Sequence, residues 1–361
     1  MADLLHPEGF ATGSIARTFA ELPPVSWHPP GYWAVVTYPE AREVLTNYEV
    51  YSSACGTGPV GELDRTFDPA TYDPALPPFR SLNFCDPPAH NQLRQHVEGW
   101  IAAHPFTLDR SVFEPLRTGG DVADSVLRGL PRQTLRAMLE IPEELAVTLQ
   151  EVGLRLAYAE DSALAHEEAY KNWQQAEKDL SEALGQIPVG LGAYLPAHER
   201  LYLLRLILLA SLESTTTALA SLLVELATPQ GWQLAQERRA HFVEEVLRLH
   251  PPLQRFGRLA LRDTELGGVK IARGQRVVVF FAPANQGCPD ANHLTFGAGP
   301  HRCPGMGIGR RLMRALLDAC LELPLPPRIV GTPVYYWSSF QLTPREFVLH
   351  AQELSEFEKV G

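Results

Sequence analysis

Residues 296–305 read Phe-Gly-Ala-Gly-Pro-His-Arg-Cys-Pro-Gly, and this stretch decides the fold more than any other part of the chain. Its three glycines let the backbone turn tightly and approach a flat partner closely, which larger side chains would prevent. Cys303 stands just before a predicted helix, whose amino-terminal amides favour the thiolate form of the sulfur. A thiolate presented in this way suits a single axial bond to heme iron.

Three other interpretations of this cysteine are open at the level of sequence. Cys288, His293, His301 and Cys303 form a candidate zinc site, although one residue between His301 and Cys303 is a tighter spacing than structural zinc sites prefer. Cys303-Pro304 alone is a candidate heme-sensing dipeptide, which needs no glycines around it. A plain buried cysteine is the commonest fate of a lone cysteine, but it leaves the surrounding pattern unexplained.

Composition narrows the class of protein. The chain has 361 residues, of which 45% are hydrophobic, enough for a sizeable core and too many for a disordered chain. The net charge of −11 argues against nucleic acid or an anionic membrane as the main partner. The longest apolar run, Leu203–Leu212, is shorter than the roughly 18–20 residues that cross a bilayer, and the amino terminus lacks the pattern of a secretory signal. We therefore expect a soluble, cytoplasmic protein without a disulfide framework.

Hydrophobic periodicity and proline positions predict a mainly α protein with a small, discontinuous β-sheet. The pattern is helical from Pro88 to about Leu226, with breaks near Pro142 and over 185–196, and a last helix follows Pro304. Residues 48–85 have the composition of a long loop, the kind that serves as a lid or binding loop. Short strands are predicted at 32–37, 258–261, 277–281, 334–337 and 347–350.

One predicted helix is unusual. Residues 201–212 are apolar on nearly every face, so this helix is expected to cross the core. Glu213 follows at once, with threonines at 215–217, although β-branched residues are poor helix formers and a buried carboxylate is costly. In the simplest interpretation the hydroxyls bond to carbonyls one turn earlier and the glutamate reaches solvent.

The loop at 296–305 resembles, at every defining position, the heme loop of the heme-thiolate monooxygenases, the cytochrome P-450 family. The resemblance extends over nearly the whole chain. Glu245–Arg248 resembles the family's Glu-x-x-Arg helix, and Asp86–Arg94 resembles its Asp-Pro-Pro-x-His-x-x-x-Arg helix. Arg258 resembles a third propionate-binding arginine. The implied architecture is the cytochrome P-450 fold, a single mainly α domain over residues 1–361.

The resemblance implies heme b as the cofactor, with Cys303 as the ligand of its iron. Propionate-binding and other cofactor-binding roles fall on six further residues: His90, Arg94, Arg258, Phe296, Gly299 and His301. Without the resemblance, His90 and Arg94 are an i, i+4 pair on a solvated helix face, and Glu245 and Arg248 are a surface ion pair worth about 0.2–0.5 kcal/mol. The resemblance makes that second pair a buried structural element.

The apolar helix resembles the family's oxygen-activating helix, which implies catalytic roles for Glu213, Ser214 and Thr215. Ser211 stands where the family usually has a glycine that widens a groove for oxygen. Ser214 replaces the usual threonine, which keeps the hydroxyl but loses the methyl group that fixes its rotamer. Proton delivery through a water held by Ser214 and Glu213 is the implied mechanism.

A third departure is a missing connection. After 283–286 the family continues through a long meander that carries an arginine, whereas here the chain leads almost directly to His293 and the cysteine loop. The segment 185–200 is also short. We therefore expect a trimmed, bacterial-type member with a weaker brace behind the cysteine.

The implied function is oxidation of a small organic or carrier-bound substrate with O2, using electrons from a separate ferredoxin and ferredoxin reductase. No nucleic acid or membrane partner is expected, and tailoring of a secondary metabolite is the predicted setting. An arginine cluster is a candidate ferredoxin surface: Arg302, Arg310, Arg311 and Arg314. The pocket is expected to be lined by 55–79, Leu208, Leu212, 253–256 and 342–345.

Two rival functions accompany this interpretation. The altered oxygen groove favours a peroxide-driven or oxygen-independent heme-thiolate reaction, such as a rearrangement or coupling. A catalytically silent domain that recruits partners is a second rival. Retention of Cys303 argues against that domain, because a degenerate member is expected to lose its ligand.

Overall fold

The computed structural model describes residues 19–28, 31–54, 81–162, 167–188, 190–288, 292–337 and 342–351. The chain divides into two compact units, each made of several segments. The first unit consists of residues 1–103, 191–203 and 253–304. The second consists of residues 104–190, 204–252 and 305–361.

The first unit contains a five-stranded sheet in the order β1-β2-β8-β5-β3. β2 and β8 run parallel, and the other neighbouring pairs are antiparallel. All five residues of β8 are buried, because its valines pack on both faces of the sheet. The strands of this unit are β1 (Val25–His28), β2 (Tyr32–Val35), β3 (Tyr51–Ser52), β5 (Arg255–Ala260), β6 (Thr264–Leu266), β7 (Val269–Ile271) and β8 (Arg276–Phe280).

The first unit also contains three helices. They are α1 (Tyr38–Thr46), α2 (Ala89–Ala103) and α10 (Phe281–Gln286). α1 begins with a proline in its first turn and buries Ala41, Val44 and Leu45 against the sheet, at the i, i+3, i+4 spacing of an amphipathic helix.

The second unit is mainly helical. Its helices are α3 (Pro115–Thr118), α4 (Gly129–Leu139), α5 (Glu143–Ser162), α6 (Glu167–Leu184), α8 (Pro229–Glu237), α9 (Arg239–Leu249) and α11 (Met306–Leu321), with a π-helical turn at Ala123–Arg128. Two short antiparallel sheets complete it, pairing β9 (Val334–Trp337) with β10 (Leu342–Glu346) and β4 (Gly120–Asp121) with β11 (Val348–Leu349).

The longest helix, α7 (Ala197–Leu226), contains the unusual apolar stretch. An 18-residue window of this helix has a mean hydropathy of 1.6, so the helix is long and apolar enough to cross a bilayer. The expectation that no segment meets this criterion is therefore wrong. Protein buries 56% of that window, and the core helix of a soluble protein meets the same criterion. The apolar character of α7 is therefore weak support for a membrane span.

The prediction of a mainly α protein with a small sheet is confirmed. The structure differs from the prediction in an additional break in the helical region and in a strand that was not predicted. The helical stretch after Pro88 is also interrupted between α2 and α4. Gly119 and Gly120 have φ values of +73° and +96°, which end α3 and let β4 form. The strand at 342–346 was missed, because it contains Pro344 and carries a β-bulge. In the predicted loop at 48–85, the described part contains the short strand β3.

Candidate active site

The cysteine loop is built from two short 3₁₀ turns, Leu294–Phe296 and Gly299–His301. Gly297 separates them with a φ of +70°, a conformation that favours glycine. The backbone N–H of Cys303 donates to the carbonyl of Phe296 at 2.7 Å, which closes the loop immediately before the cysteine. Cys303 is half-buried, and the predicted helix α11 begins at Met306 with Gly305 at its N-cap.

Gly299 brings this loop against the end of α1. Its φ is +67°, and a Cβ built there would lie 2.8 Å from the carbonyl oxygen of Leu45 and 2.9 Å from the Cα of Thr46. Both atoms are backbone, so a side chain cannot be accommodated without moving the helix. The glycine at this position is required by a close approach as well as by a turn.

Asn285, at the end of α10, ties the loop from the other side. Its buried side chain accepts a hydrogen bond from the backbone of Leu294 at 2.7 Å and donates to the hydroxyl of Thr295 at 2.9 Å. These bonds connect α10 directly to the loop entry, although the family's usual meander is absent between them. Sequence analysis missed this brace, because nothing in a lone asparagine indicates its partners.

Arg94, predicted to bind a propionate, contacts the cysteine loop itself. Its Nη1 donates to the carbonyl of Pro300 at 2.9 Å and also to the carbonyl of Arg302. Its Nε pairs with Glu98 at 2.7 Å. The guanidinium therefore holds two carbonyls of the loop, in addition to any role toward a cofactor.

Asp86 lies at the centre of a buried polar network. Its carboxylate accepts hydrogen bonds from the hydroxyl of Ser52 and from the backbone and hydroxyl of Ser53, and it lies 3.7 Å from Nε2 of His301. Burial alone raises the pKa of Asp86, but the nearby His301 and the hydrogen bonds from Ser52 and Ser53 outweigh it and lower the pKa to about 2. The carboxylate is therefore ionised at neutral pH.

His90 and His301, both predicted cofactor ligands, lie side by side with ring centroids 4.2 Å apart. His90 is 1% exposed, and within the described chain neither ring nitrogen has a hydrogen bond of standard geometry, although Asn91 approaches the ring. Burial and the neighbouring His301 lower the pKa of His90 to about 4. Arg258, buried in β5, lies close enough to His301 to lower its pKa, after the larger effect of burial.

In the second unit, Glu213 of α7 is 2% exposed, so the interpretation that it reaches solvent is wrong. Burial raises its pKa to about 7, against the opposing effects of the Thr343 hydroxyl and the Arg128 guanidinium. Thr343 is fully buried on β10, and it meets the carboxyl without a hydrogen bond of standard geometry. A carboxyl that titrates near neutrality can hold and release a proton.

The hydroxyls around Glu213 bond within their own helix, as the simplest interpretation predicted. Ser214 donates to the carbonyl of Ala210, and Thr217 donates to the carbonyl of Glu213 at 3.0 Å. Ser211, at the usual glycine position, donates to the carbonyl of Ile207 at 2.5 Å. Thr215, the alternative to Ser214, is half-buried.

The Glu-x-x-Arg pair forms a bidentate ion pair, with Arg248 Nε and Nη2 at 2.8 and 2.6 Å from the Glu245 oxygens. Its side chains are 22% and 31% exposed, so the pair is half-buried rather than buried as predicted.

Two arginines of the candidate ferredoxin surface make hydrogen bonds within the protein. Arg310 makes two 2.7 Å bonds to Glu244, and Arg311 donates to the carbonyl of Phe106 at 2.9 Å. The exposed guanidinium of Arg314 on α11 remains a candidate.

The described cysteines differ in chemistry. Burial raises the pKa of the Cys320 thiol to about 12, and buried Cys85 donates its S–H to the carbonyl of Ser81 at 2.9 Å. Among the described residues no three His, Cys, Asp or Glu side chains group as a metal site, which gives the zinc interpretation no support. Cys303 is the cysteine that the glycine turns present.

Comparison with known proteins gives one consistent result. No family model matches the chain. A steroid C26-monooxygenase of Rhodococcus jostii is 26% identical over 374 residues, which cover 89% of this chain and 78% of that protein. A cytochrome P450 of Mycobacterium marinum, solved with pseudoionone, superposes with a TM-score of 0.76 at 23% identity and covers 96% of both chains. P450BioI, solved with a fatty-acid-ligated acyl carrier protein, superposes with a TM-score of 0.74 at 19% identity over 95% of this chain and 99% of that chain.

The fold is that of the cytochrome P450s, and the relatives of similar sequence are named as monooxygenases. By its similarity to these proteins over most of its length, the chain is an oxidoreductase of the cytochrome P450 monooxygenase type, with heme b as its cofactor.

The residues of the first unit fit this cofactor. His90 is a buried imidazole whose ring nitrogens are available to a carboxylate, and Arg258 places a buried positive charge near His301. The heme would be held by Cys303 through its iron and by these cationic or hydrogen-bonding groups through its carboxylates, and it supplies the redox chemistry of oxygen activation.

Proposed function

We propose that this protein oxidises a small organic substrate with O2, using electrons from a separate ferredoxin and its reductase. Tailoring of a secondary metabolite in the cytoplasm is the proposed setting. The observation that carries the proposal is the position of Cys303, half-buried after two left-handed glycines and three residues before α11. This placement favours a thiolate and leaves space for a flat partner.

Residues of α7 supply the proton in this proposal. The Glu213 carboxyl, buried and with a pKa of about 7, is suited to hold a proton at neutral pH and to pass it on. The hydroxyls of Ser214 and Thr215 are the proposed next groups in the relay. Because Ser214 donates to Ala210, its oxygen lone pairs are left to accept a hydrogen bond from water.

The absorption spectrum of the reduced protein with carbon monoxide tests the proposal directly. A strongly red-shifted Soret band is expected, because this shift requires a thiolate ligand of the iron. Cys303→Ser should abolish the band, whereas Cys288→Ser, at another half-buried cysteine, should leave it unchanged. A wild-type protein that binds hemin without this band would contradict the proposal.

A peroxide-driven reaction is the second candidate function. The observation that favours it is Ser211, whose side chain stands at the usual glycine position and bonds to Ile207. Turnover with ferredoxin, reductase and NAD(P)H should be compared with turnover on peroxide alone. Activity confined to peroxide would replace the first candidate with the second.

The substrate class is the least constrained part of the proposal. One relative is named a steroid C26-monooxygenase, and structural neighbours were solved with pseudoionone and with a fatty-acid-ligated acyl carrier protein. We therefore include carrier-bound substrates. Of the predicted lining residues, Leu208 and Leu212 are buried, Arg345 is 58% exposed, and 55–79 lie outside the described residues.

A further inference from the structure

Two consecutive residues at the end of the π-helical turn Ala123–Arg128 contact the two elements that enclose the Glu213 carboxyl. The first is Leu127, whose carbonyl faces α7. The buried hydroxyl of Thr216 shares its single hydrogen between this carbonyl at 3.3 Å and a carbonyl of its own helix at 2.8 Å. Pro131, four residues after Leu127, has no N–H, so the carbonyl lacks its usual helical donor and is available to α7.

Arg128, the next residue, contacts β10. Its Nη1 donates to the carbonyl of Pro344 at 3.3 Å, and its Nη2 donates to the carbonyl of Arg345 at 3.4 Å. The planar guanidinium suits two neighbouring carbonyls, because its N–H groups form a rigid fork. Both carbonyls follow directly after Thr343, the residue whose hydroxyl meets Glu213. Leu127 and Arg128 therefore hold the two partners of the contact between Glu213 and Thr343.

The half-buried side chain of Arg128 is itself held in place. Its Nε lies 3.5 Å from the carboxylate of Asp124, one turn earlier. Its own carbonyl accepts a hydrogen bond from the side chain of Gln150 on α5 at 3.3 Å, and the same side chain accepts one from Arg132 at 2.7 Å. The end of the π-helical turn is thus anchored to α5 as well as to α7 and β10.

The groups outside α7 that shift the pKa of Glu213 within the described chain are the hydroxyl of Thr343 and the guanidinium of Arg128. Both favour the ionised carboxyl and oppose burial, which has the larger effect. On α7 itself, Ser214 and Thr217 donate to backbone carbonyls instead of the carboxyl. The protonation of Glu213 therefore depends on where the π-helical turn and β10 place their polar groups.

We propose that Arg128 is a positioning residue for proton delivery: by donating to two carbonyls of β10, it keeps the Thr343 hydroxyl against the Glu213 carboxyl. The use of that carboxyl in the reaction rests on the proposed function. The contact that Arg128 maintains concerns the protein alone and is measured separately.

Infrared difference spectroscopy of the full-length protein over a pH series measures the titration of Glu213. The C=O stretching band of its protonated carboxyl is the one that Glu213→Gln removes. Thr343→Val should move the midpoint of this band upward by about one pH unit, because a hydroxyl that favours the ionised form is lost. Arg128→Lys keeps the positive charge but loses the fork, so it should move the midpoint in the same direction.

The double variant separates positioning from charge. If Arg128 acts through Thr343, then Thr343→Val in the Arg128→Lys background should shift the midpoint by less than about a third of its effect in the wild type. Arg132→Lys is the matched control, because this arginine pairs with Asp124 and Glu143 instead of β10. It should leave the midpoint unchanged.

Oxygen consumption driven by NAD(P)H, ferredoxin and reductase, measured without added substrate, links the contact to proton delivery. A carboxyl that donates a proton acts in its protonated form, so the rate should fall as the pH rises through the midpoint of Glu213. In Thr343→Val and in Arg128→Lys, this fall should move to higher pH together with the infrared midpoint.

Different outcomes overturn different claims. An infrared midpoint that Thr343→Val or Arg128→Lys leaves unchanged would overturn the positioning role of Arg128, and so would equal effects of Thr343→Val in the wild type and in Arg128→Lys. A rate that falls at the same pH in every variant, despite shifted infrared midpoints, would contradict the proton relay of the proposed function. That result would leave the positioning role intact.

Discussion

Glu213 combines deep burial with a carboxyl group, which makes the stability of the protein depend on pH. Its pKa is about 7 in the folded chain against an ordinary value of 4.5, so the folded state binds the extra proton. The stability that this protonation contributes is complete below pH 4.5 and is lost as the pH rises through about 7. Stability should fall by about 3 kcal/mol across this window.

Glu213→Gln removes this dependence, because the amide stays neutral. We expect the variant to match the wild type at low pH and to be more stable by about 3 kcal/mol above pH 8. Urea unfolding of both proteins over a pH series measures the difference. Glu144→Gln on α5, at an exposed carboxylate, serves as the control and should leave the slope unchanged. An unchanged slope in Glu213→Gln would show that the carboxyl is hydrated in solution.

Two glycines of the cysteine loop make a matched pair of substitutions. Gly299→Ala adds a methyl group 2.8 Å from the backbone of α1 and strains the left-handed conformation, so a loss of about 3 kcal/mol is expected. Gly297→Ala has the same strain, but its nearest neighbour lies 3.5 Å away, so about 1 kcal/mol is expected. Denaturant unfolding measures both. Equal losses would mean that α1 yields to the added methyl group.

At the level of elements, α10 and the cysteine loop are coupled through Asn285. Asn285→Ala leaves the buried N–H of Leu294 and the hydroxyl of Thr295 without this partner, at a cost of about 3 kcal/mol. The loss should appear in urea unfolding and in a higher fraction of protein that fails to retain heme. Gln286→Ala, at the exposed next residue, should stay within about 0.5 kcal/mol of the wild type. A similar small effect in Asn285→Ala would assign the brace to other contacts.

The elements also show which features a sequence can predict. The cysteine loop, its glycines and α11 are consecutive in the chain, so local spacing was enough to predict them. In the network of Asp86, Ser53 contacts Asp86, which lies 33 positions further along the chain, and His301, which lies 248 positions further along. No local sequence pattern indicates contacts between residues so far apart. The burial of Glu213 depends in the same way on β10, a strand that the sequence did not indicate.

At the scale of the whole molecule, the net charge of −11 opposes docking of an acidic ferredoxin. A local basic surface must overcome this repulsion if the proposed ferredoxin docks, and Arg314 on α11, exposed like Arg302, is a candidate for that surface. Arg314→Glu should lower ferredoxin-dependent turnover several-fold at low salt, with a smaller effect at high ionic strength, where charges are screened.

Peroxide-driven turnover provides the internal reference for this prediction, since it needs no protein partner. It should be equal in Arg314→Glu and the wild type. Arg117→Glu, the same charge change at an exposed position on α3, is the control for net charge alone. Equal losses in the two variants would mean that overall charge, rather than a surface on α11, governs docking.

The brace at Asn285 has a consequence for the evolution of the chain length. Because this side chain grips Leu294 and Thr295 directly, the register of the loop does not depend on the residues that connect the two points. Doubling the length of such a connection costs only about 0.6 kcal/mol in closure entropy. Changes in the length of the chain between residues 288 and 292 are therefore expected to leave the position of the cysteine unchanged.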